Sequence, residues 1–142
     1  MFNVLSGLQE GSHSVMITQR KGAAGFVKGT VVAPNGTVAN SVAKADAVAH
    51  GGVVEFVFED LLSQTSGMYT VVAGVFEAET DQVSGSPAIG DFLTSGTGAT
   101  AGLLVVEAHG AALTSIAKVV DYYSIANNAQ GTSTSVYRIR TL

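Results

Sequence analysis

The chain has 142 residues, 46% of them hydrophobic and only 13% charged, with a net charge of −4 and no cysteine. That length fits one domain burying about two-thirds of its unfolded surface, and the missing cysteine excludes disulfides and thiolate metal sites. Seven scattered basic residues argue against nucleic acid as a partner, because phosphate backbones select clusters of Lys and Arg.

The charged share is about half the usual one, so the surface is built from small polar residues or is partly covered by a partner. No apolar run approaches the length of a membrane-spanning helix. No Lys or Arg precedes Arg20 and no signal-type apolar core follows the first Met, so a protein made and used without secretion is expected.

In chain order, residues 1–11 (MFNVLSGLQEG) come first. Phe2, Val4, Leu5 and Leu8 are apolar, but Gly7 and Gly11 oppose a persistent element. The segment reads as a frayed terminus, or as an arm that docks on a neighbour through Phe2, Val4 and Leu5. A free arm of this kind cannot offset its own ordering entropy. It is expected to be mobile, and its deletion to leave the melting temperature nearly unchanged.

Residues 14–19 (SVMITQ) alternate and predict a strand. Residues 20–25 (RKGAAG) predict a turn with the Arg20-Lys21 pair at a solvated tip. Residues 26–33 (FVKGTVVA) predict a strand in which Gly29 marks a bulge or a close backbone approach. Asn35-Gly36 signals a hairpin, since this pair readily supplies positive φ. Residues 41–50 (SVAKADAVAH) are ambiguous between a short helix and a weak strand.

Residues 53–59 (VVEFVFE) place Val54, Phe56 and Phe58 on one strand face and Glu55 and Glu59 on the other. Residues 60–67 could form one helical turn. The strand that follows places Phe76, Ala78 and Thr80 on one side and Glu77, Glu79 and Asp81 on the other. Three like charges on one face must be solvated or paired. A solvated face is the reading, with a cation site or a basic partner surface as the alternative. A loop rich in Gly, Ser and Pro ends at Gly90-Asp91-Phe92-Leu93-Thr94. Residues 102–108 carry Leu104, Val106 and Ala108 on one face. Residues 113–124 form a β-rich run ending in Tyr122 and Tyr123, and residues 134–142 close the chain. There Tyr137 and Ile139 oppose Arg138 and Arg140.

The expected fold is all-β: a small single-domain β-barrel or β-sandwich of about eight short strands over residues 12–142, with an extended N-terminal arm over residues 1–11. Val54, Phe56, Phe58, Phe76, Leu104, Val106, Tyr137 and Ile139 should share its core.

Chemical motifs are absent from the sequence. There is no phosphate-binding P-loop, no Gly-x-Ser-x-Gly elbow and no zinc-binding His-Glu-x-x-His. His13, His50 and His109 are isolated and read as turn or surface residues. Tyr69, Tyr122, Tyr123 and Tyr137 lack interleaved basic residues, so packing is favoured over base stacking. No catalytic, cofactor-binding or metal-binding residue is expected, and the chain does not read as an enzyme.

Four pieces follow a common rhythm: Gly74-Val75-Phe76-Glu77, Gly90-Asp91-Phe92-Leu93-Thr94, Gly102-Leu103-Leu104 and Ile116-Ala117-Lys118-Val119-Val120. With the closing Val136-Tyr137-Arg138-Ile139-Arg140, this layout resembles the capsid decoration (cement or head-stabilising) proteins of tailed bacteriophages. The resemblance implies a structural virion protein, made in the host cytoplasm and bound to the outer capsid surface. It would stabilise joints between subunits of the major capsid protein. It further implies a homo-oligomer, a trimer being favoured, with no cofactor, nucleic acid or membrane as partner. By the same analogy Phe2, Val4, Leu5 and Leu8 become capsid-contact candidates. The acidic face of Glu77, Glu79 and Asp81 is the second candidate surface. A phage tail or baseplate component, or a carbohydrate-binding β module, is the alternative.

Overall fold

Period-two alternation of apolar and polar residues resolves into strands wherever one face can be buried. A computed structural model describes residues 2–6, 15–36, 38–46, 54–59, 67–107, 115–127 and 132–142. Among them are eleven strands: β1 (Phe2–Ser6), β2 (Val15–Lys21), β3 (Val31–Pro34), β4 (Val42–Lys44), β5 (Glu55–Glu59), β6 (Met68–Gly74), β7 (Glu77–Thr80), β8 (Phe92–Ser95), β9 (Leu104–Val106), β10 (Ala117–Asn127) and β11 (Thr132–Thr141). The all-β expectation holds. The strand number exceeds the expected eight because tight connections divide several apolar runs. Val75 and Phe76, for example, separate β6 from β7.

Two antiparallel sheets result. The first has the order β1-β7-β11-β10-β8-β9 and the second β2-β6-β5-β3-β4. One core joins them: Phe2, Val31, Phe56, Val72, Phe76, Leu93, Leu104, Val119, Tyr137 and Ile139 are among its buried members, with Val54 and Phe58 packed against it. Phe2, Phe56 and Phe76 form its aromatic centre. The Phe2 ring stacks on Phe56 at 5.6 Å and meets Phe76 edge-on at 6.1 Å. Val106 departs from the expected core, being 42% exposed at the end of β9.

The five-stranded sheet is buried on its second face as well. Phe26, Val32, Val42, Val57, Tyr69 and Val71 form a separate cluster there. Val57 therefore belongs to a core even though it alternates with Phe56 and Phe58. The connection from β2 to β3 supplies the cover. The Tyr69 hydroxyl donates to the Ala23 carbonyl at 2.7 Å and accepts from the Phe26 N–H at 3.1 Å. The sheet also curls: Lys21 and Ser41 form a parallel bridge, with the Lys21 N–H donating to the Asn40 carbonyl at 2.9 Å. Gly29, suspected from sequence, is a close approach. Its φ is +87°, and a Cβ there would lie 2.9 Å from Thr80 Oγ1 and 3.3 Å from Phe2 Cβ. A side chain at this position would push the β2–β3 connection off β1 and β7.

Several local expectations change. Arg20 and Lys21 end β2 rather than capping a turn. Arg20 pairs with Glu55 through Nη2 at 3.0 Å and Nε at 3.3 Å, and Nη1 donates to Asn40 Oδ1 at 3.1 Å. The β3–β4 connection is antiparallel as expected, but the left-handed residue in it is Asn40, at φ +54°, and not Gly36. The longer loop moves the tight corner to its far end. Residues 42–44 of the ambiguous Ala-rich segment are strand. The helical turn considered over residues 60–67 falls outside the described residues except for Gly67.

The N-terminal segment shows the largest departure. Residues 2–6 are not a free arm: β1 pairs with β7, from Phe2 opposite Thr80 to Ser6 opposite Glu77. Phe2 is 4% exposed. Burying a phenylalanine against two others outweighs the short length of the strand.

Candidate functional site

The acidic residues of β7 sit on the outer face of the six-stranded sheet, since Ala78 and Thr80 take the inner one. Register then decides their partners. Glu77 lies opposite Arg140 and Glu79 opposite Arg138. Glu77 receives both arginines: Arg138 Nη2 reaches Oε2 at 2.7 Å and Arg140 Nη2 reaches Oε1 at 2.7 Å. The hydrogen bonds from Arg138 and then Arg140 hold the Glu77 carboxyl below the usual carboxylate range. Glu79 accepts a hydrogen bond from Tyr123, which raises the phenol above its ordinary value. The solvated acidic face is thus a paired one. The pairing extends across the sheet through Arg138 opposite Asp121, whereas Arg140 lies opposite Lys118, a like charge. Lys118 in turn lies 5.2 Å over the Phe92 ring. Asp81 stands just beyond β7 and accepts from the Gln82 amide at 2.9 Å. Such a laced surface has little unbalanced charge to attract a cation or a basic partner.

The four contact candidates separate. Phe2 is core, Val4 is half-buried against that core, Leu5 is 42% exposed, and Leu8 lies outside the described residues. Leu5 falls at a register shift between Val4 and Ser6. The three histidines also lie outside the described residues.

Sequence reasoning passed over two surfaces. One is the outer edge of β2, where Met16 is 63% and Ile17 50% exposed. Its seven residues pair with β6 in unbroken register, and apart from the Lys21–Ser41 bridge at its end no strand among the described residues pairs with its other side. The run of Val15, Met16 and Ile17 signalled a strand, but edge position follows only from the sheet order. The second is an open cleft of about 550 Å³, lined by residues 86–89, Tyr122, Ser135 and Tyr137. Its parts lie far apart in sequence. They meet because Tyr122 and Tyr137 are direct partners in the β10–β11 ladder, their rings 6.0 Å apart. The 86–89 loop is held beside them by the Gly90 N–H donating to the Val119 carbonyl at 2.9 Å and the Ala88 N–H donating to Asp91 Oδ2 at 2.9 Å.

Among the described residues, no group of three His, Cys, Asp or Glu side chains is placed to hold a metal ion. No helix among the described residues is long and apolar enough to cross a membrane. Comparison with protein-family models, curated proteins and solved structures finds no match to this chain.

Proposed function

We propose that the chain is a structural virion protein that binds the outside of a bacteriophage capsid and stabilises joints between major capsid subunits. The observation that carries this reading is the β2 edge. It is a seven-residue strand with exposed Met16 and Ile17 and, up to the Lys21–Ser41 bridge at its end, no strand on its outer side among the described residues. Regular edges pair with other chains unless they are blunted by charge, proline or a bulge, and on β2 charge enters only at Arg20 and Lys21, past the apolar residues 15–17. An extended segment of a shell protein could add there as a further strand, with main-chain hydrogen bonds for affinity and Met16 and Ile17 for register. A surface of low charge loses little on desolvation over a wide contact. Binding at many equivalent shell positions multiplies a modest single-site affinity. The resemblance of the Gly-led strands to decoration proteins points the same way, and a homo-oligomer, most simply a trimer, accords with it.

The test mixes the purified protein with undecorated capsids of the phage that encodes it and follows co-sedimentation. Saturable binding at a fixed stoichiometry to the major capsid protein is expected. Absence of the protein from purified virions, with no binding to shells, would discard the reading. Sedimentation velocity of the free protein tests the trimer separately.

A further inference from the structure

The cleft beside the two tyrosines has features that packing alone does not require. Tyr137 is 6% exposed and lines the cleft beside its ladder partner Tyr122. Ser86 and Ser135, which line it too, are exposed. Tyr122, tilted 31° to Tyr137, is 52% exposed and turns a ring toward solvent. Ile89 is 58% exposed across from it, whereas Pro87 is buried and stiffens the loop.

The lining carries four hydroxyls, on Ser86, Ser135, Tyr122 and Tyr137, and no carboxylate, ammonium, guanidinium or imidazole. It has no charge to offer a phosphate, a carboxylate or an amine. Hydroxyls donate and accept equally, which suits a ligand whose own groups are hydroxyls. An exposed tyrosine ring suits the apolar C–H face of a pyranose. The volume falls within the range of small-molecule sites, and the open shape admits part of a longer chain. A proline-rich peptide requires paired aromatic ridges, but here only one of the two rings stands clear.

We propose that this cleft binds a neutral saccharide, with Tyr122 stacked on a sugar ring and the Tyr137 and Ser135 hydroxyls bonded to its hydroxyls. The inference does not rest on capsid attachment, since the cleft and the β2 edge belong to different sheets. Backbone amide NMR of the whole chain provides the test. The probes are neutral trisaccharides of glucose, galactose, mannose and N-acetylglucosamine, and a proline decapeptide. At least one saccharide should shift the amides of residues 86–89, Tyr122 and Ser135 together, with a Kd in the millimolar range. Tyr122→Ala should weaken that binding about tenfold, as loss of a stacked aromatic contact implies. Tyr137→Phe keeps the buried ring and removes only the hydroxyl. It should weaken binding about fivefold, the range of one hydrogen bond, with the melting temperature nearly unchanged. Three results would overturn the proposal: no shift with any saccharide up to tens of millimolar, shifts that survive Tyr122→Ala, or shifts produced by the peptide alone.

Discussion

β1 and β2 are both edge strands, yet they meet solvent in opposite ways. β1 inserts Phe2 between Phe56 and Phe76, and its ladder with β7 is interrupted by a shift that leaves Leu5 outside the regular pairing. β2 runs seven residues in unbroken register and leaves Met16 and Ile17 exposed. An irregular, anchored edge resists further pairing, whereas a regular one with apolar side chains invites it. The difference shows that closeness to the N-terminus does not make a docking arm. What matters is whether the strand's apolar residues are already used inside the molecule.

The strongest challenge to this contrast is removal of the anchor. Phe2→Ala should cost about 3–5 kcal/mol, as truncation of a buried aromatic does. Met16→Ala should stay within about 0.5 kcal/mol, as exposed substitutions do. Urea unfolding measures both. Equal losses would mean that the two edges are alike. The second test lies behind β2, where β6 is locked by Tyr69. Tyr69→Phe removes the acceptor of the Phe26 N–H and should cost about 1–3 kcal/mol, with faster amide exchange at Phe26. No change would mean that the β2–β3 connection holds without that bridge.

The third test lies behind β1. Glu77→Gln should cost at most about 1 kcal/mol, because its arginine partners are substantially exposed. Its pH dependence is more telling. The folded carboxyl titrates below the unfolded one, held down first by Arg138 and then by Arg140. Its stabilisation is therefore present above the ordinary carboxylate range and is lost as pH falls through the folded value. Between about pH 6 and about pH 3 the wild type should lose more stability than Glu77→Gln. Parallel curves would mean that the ion pairs contribute nothing.

Strands with one wet face were legible in the sequence. Phe76, Ala78 and Thr80 alternate with Glu77 and Glu79, and the structure keeps that division. The pattern misled where a strand is covered on both faces. Val57 shares a face with Glu55 in the alternation but is fully buried, because the β2–β3 connection folds over it. Phe2 was misread for a related reason. Its burial depends on pairing with β7, more than seventy residues away, and nothing in its local sequence carries that. The arginine partners of Glu77 and the meeting of Tyr122 with the 86–89 loop are likewise products of sheet order. Gly29 was legible, because a glycine inside a β-branched run has few other uses.

The smallest expected effect on stability is also the one closest to function. Met16→Lys with Ile17→Lys places two charges on the β2 edge, a device that natural edges use against pairing. Both side chains are at least half exposed, so the melting temperature should barely move. Capsid binding should fall sharply, since an added strand would have to desolvate both ammonium groups. Leu5→Lys is the control on the other edge. It should leave binding intact, because the ladder beside Leu5 is already irregular. Two outcomes would reverse the assignment of the edges. If Leu5→Lys abolishes binding and the β2 variant does not, attachment belongs to the six-stranded sheet, and the anchored strand is the docking strand after all. If neither variant changes binding while both remain folded, the shell contact lies on a sheet face or on the β4 or β9 edge. The Arg138–Glu77–Arg140 surface, with its balanced charges, would then be the next place to substitute.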